Sequence, residues 1–362
     1  MSISSLEARC LTGGATSVCD ASGGEDEPEL VCKVYHLEMK RPNEGETLKL
    51  IYKKVQEADF STMKPLSYMD SYGDTPSCTT SRVKTMLRID WERHRTIRVI
   101  ACEKLQPITS QIGRAFMRAW LEVVKCHALL WSIGVRYGKP SLWNIMYSGE
   151  HKCGVLTDFD LSILNSRRRV PGTDRKGTKP FMAIELLSEN DWQGNLSRQY
   201  HHELKPFVWI LAFVCFRYQD GKELENTIVD SWMTGDPVTC KAKKLIFAFD
   251  IDGFDKYVVS SFKHEWQLAK ELVDWVTHQR RQRTACARSE DEDPYYSDSS
   301  SSDSDSKLTD PLPPPVDLPS VWEAFVRQVH AGRKFKGLSY LRDLIKELGL
   351  KDVLGMAKPD KS

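Results

Sequence analysis

No two of the ten cysteines are spaced as CxxC, which removes the common zinc sites and thiol redox motifs. They stand at 10, 19, 32, 78, 102, 126, 153, 215, 240 and 286, several inside apolar runs such as RVIACE and LAFVCF. Buried thiols in a reducing compartment are the expectation, because a free cysteine packs as a small hydrophobe. The first residues, MSISSLEARC, lack the apolar core of a secretory signal. No run reaches the ~18 apolar residues of a membrane span. An excess of charge is missing too: 51 Lys and Arg stand against 50 Asp and Glu, a net +1. Nothing draws the whole chain to nucleic acid or to a membrane. The chain also has no internal repeats. A soluble intracellular protein, cytoplasmic or nuclear, with neither a membrane nor a nucleic-acid partner, is expected.

What is present is 362 residues, 41% of them apolar, enough for a two-lobed enzyme fold with a tail. Residues 12–35 alternate as strands and turns, and LVCKVY (30–35) reads as a strand carrying one lysine. Pro42 suits the first turn of a helix over NEGETLKLIYKKV, with Leu48, Ile51 and Val55 on one face. Residues 57–95 are polar and read as loop-rich. IRVIACE (97–103) is a strand. A helix over 111–133 carries Phe116, Trp120, Val123, His127 and Leu130 at helical spacing, with His127 as a packed core histidine. Further helices are expected over 200–218, 222–232, 237–249 and 258–281.

The composition then shifts. SEDEDPYYSDSSSSDSDSKLTDPLPPPVDLP (289–319) is acidic, serine-rich and proline-rich, and buries too little apolar area to offset ordering entropy, so it is expected to be a disordered linker. Beyond it, Ser320 with Glu323 reads as a capping box for SVWEAFVRQVH. LSYLRDLIKEL follows, with Leu338, Leu341, Ile345 and Leu348 on one face and Gly349 as its stop. These two helices could pack on the body or bind a partner. The divisions expected are 1–106, 107–285, 286–319 and 320–362.

Phosphoryl transfer from ATP needs a lysine on the phosphates, a glutamate holding that lysine, an Asn and an Asp on magnesium, and an Asp orienting the attacking hydroxyl. In CGVLTDFDLS (153–162), the strand residues Val155 and Leu156 lead into Asp158, Phe159 and Asp160. Fourteen residues upstream lies Asn144 in SLWNIMY. Downstream, GTKPFMAIELL (177–187) matches the closing element of an activation segment, with Glu185 in the glutamate place.

With HHELKPFVWIL (201–211) and DSWMTGDPVTCKAKK (230–244), these motifs make the chain resemble the fungal-type protein kinase-like family. The likeness covers roughly 10–285 and is densest over 137–245. It implies an α+β kinase-like fold: a small five-stranded antiparallel lobe with one helix, then a larger helical lobe. It also implies ATP and Mg²⁺ as ligands, with Asn144 and Asp158 holding the metal, and a protein substrate or partner. Lys33 resembles the strand lysine that contacts the phosphates. Glu44 is its expected partner, with Glu46 as runner-up. Gly13 and Gly14 in GGATSV would belong to the phosphate-covering loop. Glu103 to Leu105 would be the hinge that meets adenine. Asp160, Thr178 and Glu185 fall in the activation segment.

The resemblance breaks at one decisive position. Five residues before Asn144, where relatives carry the catalytic Asp, this chain has Lys139. An ammonium has donors only and cannot accept a substrate proton, a loss of roughly 10²–10⁴ in rate. Lys139 could instead pair with a γ-phosphate or with Asp158. Tyr137 and Gly138 replace the usual His-Arg, which leaves no cationic dock for a phosphorylated loop. Asp160 takes the usual glycine place, as a helper near the metals or a solvated turn residue. Arginines at 167–169 could attract an acidic peptide, and RRQR at 280–283 could direct nuclear import; a solvated charge run is the plainer reading of each. The serine-acidic tract 297–306 reads as a charged or phosphorylated tail.

Three functions remain open: an active Ser/Thr protein kinase, a nucleotide-binding pseudokinase acting as scaffold or regulator, and a small-molecule phosphotransferase. Nucleotide binding with Mg²⁺ and weak or absent transfer fits the residues best.

Overall fold

The computed structural model describes residues 16–21, 29–39, 41–60, 66–88, 94–164, 177–187, 199–289 and 318–356. Gly13 and Gly14, the arginines at 167–169 and the acidic serine-rich stretch 290–317 lie outside the described residues.

Four antiparallel strands form the first layer, in the order β1 (Ser17–Ala21), β2 (Leu30–Glu38), β4 (Arg95–Glu103) and β3 (Met69–Thr79). The described residues thus hold four strands of this sheet where five were expected. Lys33 pairs across to Val18 on one side and Ile100 on the other, in the middle of β2. The segment read as loop-rich contains β3 and a short helix α2 (Thr80–Leu87). Its sequence hides the strand because MDSYGDTPSCT is polar and carries Gly73 and Pro76. Such residues are tolerated in an edge strand, where pairing with β4 rather than an apolar stripe supplies the order.

Helix α1 (Glu44–Glu57) lies beside this sheet with Leu48, Ile51 and Val55 buried. Pro42 stands outside it. Asn43 is the N-cap, its side chain accepting from the Gly45 N–H at 2.8 Å, and Asn is among the strongest capping residues. Buried Arg98 on β4 donates to the carbonyls of Arg41 and Pro42, at 2.8 Å each, and so fixes where the helix starts.

The helical layer is built around α3 (Gly113–Ser132) and α4 (Tyr200–Arg217), the latter buried from Tyr200 to Phe216. Beside α3 runs a small sheet of β5 (Gln106–Pro107), β7 (Ile145–Ser148) and β8 (Cys153–Leu156), and β6 (Val135–Arg136) pairs with β9 (Ile163–Leu164). Strand β8 approaches α3 so closely that a Cβ on Gly154 would stand 2.1 Å from the Ala119 carbonyl oxygen and 2.9 Å from Val123 Cγ2. Gly154→Ala is therefore expected to cost about 1–3 kcal/mol as overpacking. A urea midpoint equal to that of the natural chain would refute this close approach.

The helix expected over 222–232 is not formed. Asp220 and Gly221 hold positive φ angles of 51° and 79°, which turn the chain into a two-stranded hairpin, β10 (Tyr218–Gln219) and β11 (Lys222–Glu223). A 3₁₀ turn over Ile228–Trp232 follows, capped by Thr227 and Asp230. Helices α5 (Pro237–Phe249) and α6 (Lys263–Ser289) complete the layer, and RRQR lies within α6.

The tail packs on this body. Helix α7 (Leu318–Ala331) begins two residues before Ser320, with Pro319 in its first turn, so Ser320 is not its cap. It buries Val321, Trp322, Phe325, Val326 and Val329. The Phe325 ring lies 5.9 Å from Trp120 of α3 and 6.4 Å from Trp275 of α6. Helix α8 (Leu341–Glu347) follows, and the Leu348 carbonyl accepts from Lys125 at 2.6 Å. Gly349 ends that segment with φ +57°, as its sequence position implies. Of the two roles open to these helices, the structure shows packing on the body.

Candidate functional site

Five ionisable side chains, drawn from β2, α1, the segment before Asn144 and the turn after β8, converge at the junction of the two layers. Lys33 Nζ stands 2.7 Å from Glu44 Oε2 and 2.6 Å from Asp158 Oδ1. Lys139 Nζ stands 2.7 Å from Asp158 Oδ2 and 4.0 Å from Asp160 Oδ1. Both carboxylate oxygens of Asp158 are thus held by ammoniums. Asp158 adopts φ +63°, the left-handed conformation an Asp tolerates at a turn.

Glu44 does double duty: its other oxygen, Oε1, accepts from the Phe159 N–H at 2.8 Å. One carboxylate therefore fixes the lysine on the sheet and the backbone beside Asp158. Glu46, the runner-up, instead accepts from the Tyr72 hydroxyl. The first turn of α1 points 44 inward and 46 outward, which decides between them.

Burial opposes the charge on Lys33, but Asp158 and then Glu44 outweigh it and raise its pKa well above the ordinary lysine value. Burial likewise opposes charge on Lys139, and Asp158 followed by Asp160 overcomes it. Burial would raise the Asp158 carboxyl, yet Lys33 and Lys139 hold it well below the usual range. Burial, reinforced by the Asp158 carboxylate, pushes Asp160 up to about 7.

The loop carrying Lys139 is held by its backbone. Its carbonyl accepts from Asn144 Nδ2 at 3.1 Å, and the Asn144 carbonyl accepts from the Thr157 N–H at 3.0 Å. Tyr137, in the usual histidine place, donates its hydroxyl to the Thr157 carbonyl and sets its ring edge-on to Phe159 with centroids 5.2 Å apart. The N–H of Gly138 reaches Glu203 Oε2 at 3.2 Å, and His127 Nε2 meets the same oxygen at 3.1 Å. His127 is 1% exposed, a core histidine as its spacing implied.

Glu103 is the last residue of β4, and Leu105 lies just before β5. Glu103 donates its N–H to the Tyr68 carbonyl and accepts from the Ser148 hydroxyl at 2.7 Å. Thr178 and Glu185 belong to a different neighbourhood. The Thr178 carbonyl accepts from the Phe181 and Met182 N–H groups, at 2.9 and 3.2 Å. Glu185 is ion-paired with Lys205 of α4; burial works against its charge, but Lys205 holds its pKa below the ordinary value. Gly13 and Gly14 are outside the described residues.

The sequence reading passed over Lys205 and Lys244, because a lysine inside an apolar helix has no pattern of its own. Lys244 is wholly buried and donates to the Met182 carbonyl at 2.6 Å, with the Trp209 ring 4.2 Å away. Burial pulls its pKa from 10.5 down to about 7, against weaker raising by Cys240 and Glu185. The folded chain then binds fewer protons than the unfolded chain between about pH 7 and pH 10.5, so this residue makes stability rise with pH across that window. Lys244→Met is expected to flatten that rise. Melting temperatures measured from pH 7 to 10 on both chains test it, and parallel curves would contradict it.

Asn144 and Asp158 are oxygen-bearing residues of the type that holds magnesium, which takes near-octahedral oxygen ligands at about 2.0–2.1 Å. The arrangement around them does not suit a resident cation. Each Asp158 oxygen already faces an ammonium. Asn144 donates its amide nitrogen to the Lys139 carbonyl, which leaves the amide oxygen as its ligand atom, so the obstacle lies at Asp158. Asp160 Oδ1 is buried without a hydrogen-bond partner among the described residues, but Lys139 lies 4.0 Å from it.

The family model for fungal protein kinase matches residues 91–215, about a third of the chain. That stretch includes Glu103, Leu105, Lys139, Asn144, Asp158, Asp160, Thr178 and Glu185, and stops short of Lys33 and Glu44. No curated protein matches the chain. Over residues 91–215 the chain is kinase-like, as the motifs implied. No helix among the described residues is long and apolar enough to cross a membrane.

Proposed function

From a kinase-like stretch over 91–215, we propose that the junction of sheet and helical layer takes ATP and that phosphotransfer from it is weak or absent. The observation carrying this reading is Lys33, held between Glu44 and Asp158 at 2.7 and 2.6 Å. A lysine in mid-strand, fixed by a helix glutamate and opposite an Asp after a strand end, is the arrangement that grips nucleotide phosphates. Leu105, beyond the end of β4, is the proposed adenine contact. The weakness of transfer follows from Lys139, which offers protons where the reaction needs a group that accepts one.

A nucleotide-binding protein without transfer acts through what it contacts. The regulatory reading is therefore favoured over the small-molecule phosphotransferase. The Glu185–Lys205 pair supports it, because it anchors the segment GTKPFMAIELL, which in protein kinases borders the bound peptide.

ATP is expected to raise the melting temperature of the natural chain and to leave that of Lys33→Met unchanged. A ligand present at about 100 times its Kd stabilises by about 2.7 kcal/mol, well within reach of thermal shift. Equal shifts in both chains, or none in the natural chain, would sink the nucleotide reading.

A further inference from the structure

We infer that this site takes its polyphosphate ligand without a divalent cation, with the Lys139 ammonium supplying the positive charge. The inference rests on the nucleotide reading and specifies the cofactor requirement of the same site.

The formal charges at the junction carry it. Two ammoniums, Lys33 and Lys139, face three carboxylates, Glu44, Asp158 and Asp160. The cluster is balanced to within one negative charge by its own side chains. With aspartate at 139, a single ammonium would face four carboxylates, a formal deficit of three charges that favours bound cations. Lysine at 139 removes most of that deficit.

Geometry adds a second reason. A cation on Asp158 must take one of its oxygens, and both already accept from ammoniums, at 2.6 and 2.7 Å. An incoming dication would displace one ammonium and be repelled by both. A phosphate chain meets no such barrier. An ammonium has three donors, so Lys139, bonded to Asp158, keeps donors for phosphate oxygens. Its side chain is 29% exposed, enough to be reached from solvent. The backbone of the loop does not depend on this side chain, because Asn144 binds the carbonyl of residue 139.

Isothermal titration of the full chain with ATP, in EDTA and then in magnesium, tests the inference, alongside Mn²⁺ alone followed by electron paramagnetic resonance. ATP affinity of the natural chain is expected to agree within about threefold between the two buffers, with no protein-bound Mn²⁺ signal at millimolar metal. Lys139→Asp is expected to bind Mn²⁺ and to tighten on ATP by about tenfold or more when magnesium is added. Lys139→Met, which keeps the bulk and removes the charge, is expected to gain Mn²⁺ binding as well, and guards against a misfolded Asp variant. Mn²⁺ bound by the natural chain, or ATP binding that appears only with magnesium, would overturn the inference. ATP binding absent in both buffers would overturn the nucleotide reading itself. The Mn²⁺ arm would still decide whether Lys139 excludes the metal.

Discussion

Lys139→Asp should turn a weak or silent protein into one that transfers phosphate, with a gain of roughly 10²–10⁴-fold over the natural chain. The substitution returns an acceptor to the place from which a substrate hydroxyl loses its proton, and it frees Asp158 Oδ2 from an ammonium 2.7 Å away. Little else needs rebuilding. The loop backbone is tied down through the Lys139 carbonyl and Asn144, and Tyr137 holds the neighbouring Thr157 carbonyl. Labelled-phosphate transfer to a mixed peptide substrate in magnesium measures the gain. Asp158→Ala added to the variant is expected to remove it. Transfer by the natural chain equal to that of the variant would show that position 139 does not limit the chemistry.

Phe325→Ala is expected to have the largest effect on stability, a loss of about 3–5 kcal/mol by urea unfolding. The ring is fully buried between Trp120 and Trp275, so its removal leaves a cavity against rigid aromatic neighbours. The ion pairs of the same contact are a weaker bond. Glu347 meets Arg114 at 2.7 Å and Arg118 at 2.8 Å, but all three side chains are well exposed, where such pairs contribute less than about 1 kcal/mol. Glu347→Ala is therefore expected to leave the urea midpoint nearly unchanged. The reverse ranking would mean that charge rather than apolar burial holds the tail.

Much of this was legible in the order of residues. The helices over 113–132, 200–217 and 237–249 follow from apolar spacing and from Pro237 at a helix start. The central cluster is legible through the resemblance, which marks Lys33, Glu44, Lys139, Asn144 and Asp158, and the fold brings them together. What was hidden depends on partners distant in sequence. β3 is a strand because β4 pairs with it, not because of its own pattern. The expected helix over 222–232 had the right polarity, but Asp220, Gly221 and Asn226 take left-handed backbone angles that make a hairpin and a turn. The extra hydrogen bond of Glu44, to the Phe159 N–H across 115 positions, has no trace in either segment alone.

The way 318–356 is attached has one more consequence. Trp322 donates its indole N–H to the Leu350 carbonyl at 2.8 Å, so the tail closes on itself as well as on α3 and α6. It meets the body as one subunit meets another, through a buried aromatic centre with a charged rim. The tail thus covers α3 and α6 much as a small subunit would, and it bears none of the site's charged cluster.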